Sequence, residues 1–81
     1  MSLTWIIKAN YLNEYKIELE FNNQKKGVVN LKPYLDKKFY EPLKNLSTFK
    51  NFKLNRWTIE WENGADFSPE FLLENIKDTT N

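Results

Sequence analysis

A small α+β domain is the fold class that this 81-residue sequence predicts, and three observations predict it. Tyr15 to Phe21 alternates apolar and charged residues without a break, the pattern of a half-buried antiparallel strand. Ser68-Pro69-Glu70 followed by Phe71, Leu72 and Ile76 reads as a capped helix with one apolar face. Between these, short apolar stretches are punctuated by Asn, Gly and Pro, as in a small sheet with tight connections. The expectation is one antiparallel sheet of about five strands, short helical turns between strands three and four, and a carboxy-terminal helix. All of it falls in a single domain, residues 1–81.

Trp5-Ile6-Ile7 reads as a short first strand, with Tyr11 to Glu14 as the connection to the second. In the second strand Tyr15, Ile17, Leu19 and Phe21 share the core face, while Lys16, Glu18 and Glu20 face water. Asn22 to Gly27 is a polar turn in which Gly27 is available for a positive φ. Val28 to Leu31 is a third strand, stopped by Pro33 because proline has no N–H for a ladder. Leu35, Phe39, Leu43, Leu46 and Phe49 recur at helical spacing, and Pro42 suits the first position of a short helix over 42–49.

Phe52 and Leu54 alternate on a fourth strand, which turns at Asn55-Arg56. The fifth strand runs from Trp57 to Glu62 with Trp57, Ile59 and Trp61 on one face. Asn63-Gly64 is a turn pair, Ser68 an N-cap and Pro69 the first helical residue, and residues 78–81 are expected to fray.

Composition narrows the function classes. A chain of this length builds one modest core, here supplied by 3 Trp, 4 Tyr and 6 Phe rather than by disulfides. Cys and His are both absent, which removes the usual nucleophile pairs, the usual general base near neutrality and the ligands zinc prefers. The expectation is therefore a protein that is not an enzyme and takes no cofactor or metal. Glu60, Glu62 and Asp66 are the carboxylates to weigh for a hard cation, but Glu60 and Glu62 alternate with tryptophans on the polar side of a strand. The first residues show neither a basic region nor an apolar stretch of the secretory type, and no apolar run approaches the ~18 residues of a membrane span. A cytoplasmic protein without a membrane partner is the expectation.

Net charge is +1 but unevenly spread. Residues 24–56 carry nine basic groups against Asp36 and Glu41, a surplus of +7, whereas residues 57–81 carry Lys77 against six acids. Such a split can steer a charged partner. Within the basic segment, Lys50, Lys53 and Arg56 flank Phe52, Trp57 and Trp61, a combination that would suit nucleic acid if the rings formed an open stacking platform. The competing reading makes the same rings part of the core, and that is the one expected in so short a chain.

One further pattern runs most of the length: Phe21, Val29-Asn30-Leu31, Phe39 through Leu43, Phe49, and above all Trp61-Glu62-Asn63-Gly64-Ala65-Asp66-Phe67-Ser68-Pro69. In this the chain resembles a family of small bacterial domains of unknown function, family 2442, of the Trp-x-Asn-Gly-x-Asp-x-x-Pro type. The resemblance implies a small α+β domain without established enzymatic activity. It also implies either a helix-turn-helix fusion or a stand-alone member of a toxin–antitoxin-type gene pair, and 81 residues fit the stand-alone form. Asn22-Asn23-Gln24 and Asn30 depart from the family's usual Asp-Gly and Asp at those points.

The functional expectation is a non-catalytic protein-interaction module, the antitoxin-like or regulatory partner of a neighbouring small protein, or a homodimer. Its alternative is a nucleic-acid-binding module using segment 24–56. If the Trp61–Pro69 joint touches a partner, Asp66, Trp61 and Asn63 are the residues to carry the contact. Asp66 has two readings: a contact to a partner's amine, or a brace accepting backbone N–H groups of the turn and helix start. The brace is the expectation. Binding has two routes open to it, an exposed strand edge and an apolar patch left by thin helical cover.

Overall fold

The computed structural model describes residues 3–78. Its frame is a four-stranded antiparallel sheet in the order β1-β2-β3-β6, made by β1 (Ile6–Asn13), β2 (Lys16–Phe21), β3 (Lys26–Asn30) and β6 (Lys77–Asp78). A separate two-stranded sheet pairs β4 (Lys53–Leu54) with β5 (Ile59–Glu60). Between β3 and β4 lie two 3-10 segments, Lys32–Tyr34 and Lys38–Lys44, and a single helical turn, α1 (Leu46–Phe49). The last helix is α2 (Pro69–Asn75). The α+β class and the placement of the helical turns follow the sequence. The single sheet of about five strands does not: the strands divide into two sheets.

β2 is the spine of the larger sheet. Ile17, Leu19 and Phe21 are fully buried, while the alternate residues Lys16, Glu18 and Glu20 lie on the other face, so period two has its expected consequence. The hairpin to β3 closes through Asn22-Asn23-Gln24. Gln24 takes the left-handed conformation (φ 73°), and Phe21 N–H donates to Lys25 O at 2.8 Å. The left-handed residue of this turn is thus Gln24, and Gly27, expected to serve there, sits inside β3 opposite Leu19. A Cβ at Gly27 would lie 2.4 Å from the carbonyl oxygen of Lys77, so its job is to let β6 approach.

β1 is longer than the sequence suggests. Tyr11, Leu12 and Asn13, expected in the connection, continue the strand because Tyr11 turns its ring inward onto Phe49 while β2 offers pairing partners as far as Lys16. The strand is bulged at Ile7 and again at Leu12, where one extra residue enters the register. Asn22 anchors the segment ahead of β1: its Oδ1 accepts Trp5 N–H at 2.9 Å and its Nδ2 donates to Leu3 O at 2.8 Å. An aspartate at this position has no hydrogen to donate to Leu3 O.

The buried face of the sheet is covered by the 32–49 segment, the β4–β5 pair and α2. Leu31, Leu35, Leu43, Phe49, Ile59, Trp61, Ala65, Phe67 and Leu72 meet Ile6, Ile17, Leu19, Phe21 and Val29 in one core. Of the apolar stripe read in 35–49, Leu35, Leu43 and Phe49 are buried, but Phe39 and Leu46 are exposed. Pro42 does not begin a helix over 42–49. It lies within the second 3-10 segment, and α1 starts after Asn45, whose side chain accepts Ser47 N–H at 2.9 Å. A side-chain cap outweighs proline's preference because it satisfies a backbone donor that would otherwise lack a partner.

The strand expected over Trp57–Glu62 shrinks to Ile59–Glu60. Asn55 accepts both Trp57 N–H and Thr58 N–H at 2.7 Å, which holds 55–58 as a turn and sends the Trp57 ring outward against Trp5. After α2 the chain extends again, and β6 pairs with β3 through Gly27–Asp78 and Val28–Lys77. Of residues 78–81, expected to fray, Asp78 has its backbone in register with Gly27, and 79–81 lie outside the described residues.

Candidate interaction cleft

The stretch Trp61 to Pro69 is a joint whose every local task is assigned to a particular group. Trp61 donates its indole N–H to Phe49 O at 2.7 Å, and its backbone N–H goes to Ala65 O at 2.9 Å. Asn63 Oδ1 accepts Ala65 N–H at 3.1 Å, and Gly64 supplies the φ of 87° that the turn needs. Ser68 Oγ caps α2 by accepting Phe71 N–H at 3.1 Å, with Pro69 at the first helical position. Buried Thr58 ties the joint to β5 by donating its hydroxyl to Phe67 O at 2.7 Å.

Asp66 has no such side-chain task. Its backbone is fixed, paired in an antiparallel bridge with Glu60 and accepting the Tyr40 hydroxyl at 2.8 Å on its carbonyl oxygen. Its side chain is exposed, and among the described residues the carboxylate accepts no hydrogen bond and joins no ion pair. The brace expected of Asp66 is made by Asn63 and Ser68 instead. Each of those lies two or three residues ahead of the N–H it holds, the spacing of an Asx turn and of an N-cap, whereas three residues after Asp66 stands Pro69, which has no N–H.

The free carboxylate stands at the rim of a cleft of about 510 Å³ between the 3-10 segments and the start of α2. Pro33, Tyr34, Asp36, Lys37 and Tyr40 form one wall; Asp66, Phe67, Ser68 and Phe71 form the other. Aromatic rings make its body. Tyr40 stacks flat on Phe67 at 4.5 Å between centroids, Phe67 lies nearly parallel to Phe71 at 5.6 Å, and Tyr34 stands edge-on to Phe71 at 5.0 Å. Two hydroxyl bonds clamp the walls together, Tyr40 to Asp66 O and Tyr34 to Asn75 Oδ1 at 2.9 Å. Both walls are thus tied to the helix that follows Asp66.

The model of the family described as "Protein of unknown function (DUF2442)" matches residues 6–78. The chain belongs to the DUF2442 family. No curated protein and no solved structure matches it. Both walls of the cleft lie inside the matched region of this DUF2442 chain, as does the whole Trp61–Pro69 joint.

The remaining expected site residues disperse. Trp61, expected beside Asp66 at a partner surface, is only 3% exposed and packs on Phe49, Phe52 and Phe67. Asn63 is exposed, with its side-chain oxygen committed to the turn. Lys50, Lys53 and Arg56 are all exposed, but the stacking platform proposed for them is not assembled. Trp61 is core, Phe52 stands edge-on against it, and Trp57 alone of the three rings is largely exposed. Among the described residues no three His, Cys, Asp or Glu gather to hold a metal, and no helix is long and apolar enough to cross a membrane.

Tyr34, Tyr40 and Phe71 are the cleft residues that sequence reasoning missed. Phe71 reads as part of the apolar face of the last helix, Tyr34 and Tyr40 fall outside the stripe Leu35-Phe39-Leu43-Leu46-Phe49, and only the meeting of the two segments turns the three into a lining. The setting has an electrical signature: burial, and secondarily the Asp66 carboxylate, raise the Tyr40 phenol above its ordinary 10.0. Folded protein therefore holds this proton more tightly than unfolded chain. Its contribution is complete below about pH 10 and is lost as pH rises through the higher folded value. Urea titrations across that range should show stability falling with pH, and a shallower fall in Tyr40→Phe. Equal slopes would remove Tyr40 as the source.

Proposed function

We propose that this chain is a non-catalytic protein-interaction module, the antitoxin-like or regulatory member of a pair of small bacterial proteins, and that it engages its partner through the 33–40/66–71 cleft. The observation that carries this is the Asp66 carboxylate: on a residue that lines an aromatic cleft and whose backbone is fixed, it makes no hydrogen bond or ion pair among the described residues. A charged group with a fixed position and no internal partner supports a role in recognition.

The other route, addition of a strand to a sheet edge, is less well supported. β1, one edge of the larger sheet, is bulged at two places and carries Lys8, and its start is occupied by the bond from Ile6 N–H to Trp57 O at 2.9 Å. β6, the opposite edge, spans two of the described residues. Bulged, charged and short edges are poor templates for a third chain.

Affinity capture from the native cell, scored for the product of the adjacent gene, tests the proposal when done beside Asp66→Lys. The wild-type chain should retain a stoichiometric small protein. Asp66→Lys should weaken that complex by about tenfold or more, equivalent to about 1.4 kcal/mol, while melting as the wild type does. A partner held equally by both proteins would place the interface elsewhere on the surface.

A further inference from the structure

The cleft has a chemistry that selects its occupant. Aromatic rings make its body, and Asp66 and Lys37 are its charges outside any ion pair among the described residues. A second carboxylate, Asp36, lies on the opposite wall and forms a solvent-exposed ion pair with Lys44 at 3.4 Å. We infer that the cleft receives a basic side chain, Arg or Lys, projecting from a partner polypeptide, with Asp66 pairing its charge and the aromatic walls covering its aliphatic stem. This rests on the interaction reading above and specifies what the partner must present.

Three physical points favour this occupant. A wholly apolar segment would draw the Asp66 carboxylate out of water with nothing to replace the lost hydrogen bonds, which disfavours it. An acidic side chain would face Asp66 and find as cations Lys37, on the far wall, and a Lys44 already paired with Asp36. A guanidinium or ammonium avoids both penalties, because its head pairs with the carboxylate while its methylenes pack on rings whose faces attract cations. Preorganisation adds to this: the Tyr40 hydroxyl pins Asp66 through its carbonyl oxygen, so little backbone freedom is lost on binding. Lys37 remains at the lip to pair with an acidic neighbour of the basic residue, which makes a basic-acidic sequence the best fit.

The test is titration of isotope-labelled full-length chain with four capped tripeptides, Gly-Xaa-Gly, in which Xaa is Arg, Lys, norleucine or Glu. Amide shifts are followed by NMR. Arg and Lys peptides should move the amides of residues 33–40 and 66–71 and bind about tenfold more tightly than norleucine at low salt, with the advantage shrinking as salt rises. In Asp66→Asn the Arg and norleucine peptides should come within about twofold of each other, while the spectrum keeps its folded dispersion.

Equal binding of norleucine and Arg by the wild type, an Arg preference that survives Asp66→Asn, or no cleft shifts with any peptide would each overturn the inference. So would cleft shifts that grow with protein concentration alone, since the occupant would then be a second copy. A natural partner that is captured and weakened by Asp66→Lys, alongside peptides that show no basic preference, would leave the interaction reading standing and remove only this one.

Discussion

Trp61→Ala is expected to weaken or abolish the cooperative fold. The indole is 3% exposed, packs on three aromatic rings and donates its N–H to Phe49 O at 2.7 Å. Truncating a buried aromatic to alanine costs about 3–5 kcal/mol. A domain of this length holds only about 4–12 kcal/mol in total. From about a quarter to all of the stability is therefore at stake in one side chain, and the urea transition should move far toward zero denaturant or lose its native baseline. Trp61→Phe separates packing from polar satisfaction. It keeps a ring among Phe49, Phe52 and Phe67 but leaves Phe49 O without its donor, a loss of about 1–3 kcal/mol. If Trp61→Ala unfolds within about 1 kcal/mol of the wild type, the indole is not the centre of this core.

Gly27→Ala should destabilise the protein by about 1–3 kcal/mol, the range for forcing atoms into a packed site. Ordinary propensity predicts the opposite sign, since a glycine within a strand is worth about 0.5–1 kcal/mol less than alanine. Geometry decides between them. The new Cβ would meet Lys77 O at 2.4 Å, Lys77 C at 2.9 Å and Ile76 Cβ at 3.1 Å, and the two closest atoms are backbone that cannot rotate away. β6 would have to leave β3, releasing the pairing at Gly27–Asp78 and Val28–Lys77 and loosening the end of α2. Hydrogen exchange should then show lost protection at residues 76–78 while β2 remains protected. A stabilised Gly27→Ala would mean that β6 does not hold this position in solution.

These two residues mark how far local reading reaches. The ring of Trp61 was legible as apolar and alternating, yet its neighbour Asp66 was read the wrong way round, as the brace of a turn that Asn63 and Ser68 in fact hold. Both assignments obey the same local rule, that a short polar side chain bonds an N–H two or three residues on. What the rule does not reveal is which of several eligible residues finds its N–H in place, because that depends on how the chain bends between Trp61 and Phe71. Gly27 failed for a different reason. Its permissive backbone was the visible property, but the one used is its missing side chain, and the demand for that comes from Lys77, fifty positions away in sequence. The cleft was illegible as such. Tyr34 and Tyr40 on one side and Phe67 and Phe71 on the other become a surface only when the two segments meet.

What the sequence alone determined is the local grammar: the α+β class, the alternating β2, the Asn63-Gly64 turn, the Ser68 cap and the residues that pack as rings. Each depends on groups a few residues apart, where backbone geometry leaves few outcomes. Tertiary structure decided the rest: two sheets in place of one, the length of β1, the last strand, and an aspartate with a fixed backbone and a free carboxylate. All of these turn on which distant groups meet, and at these places pairing between strands or rings outweighs local preference.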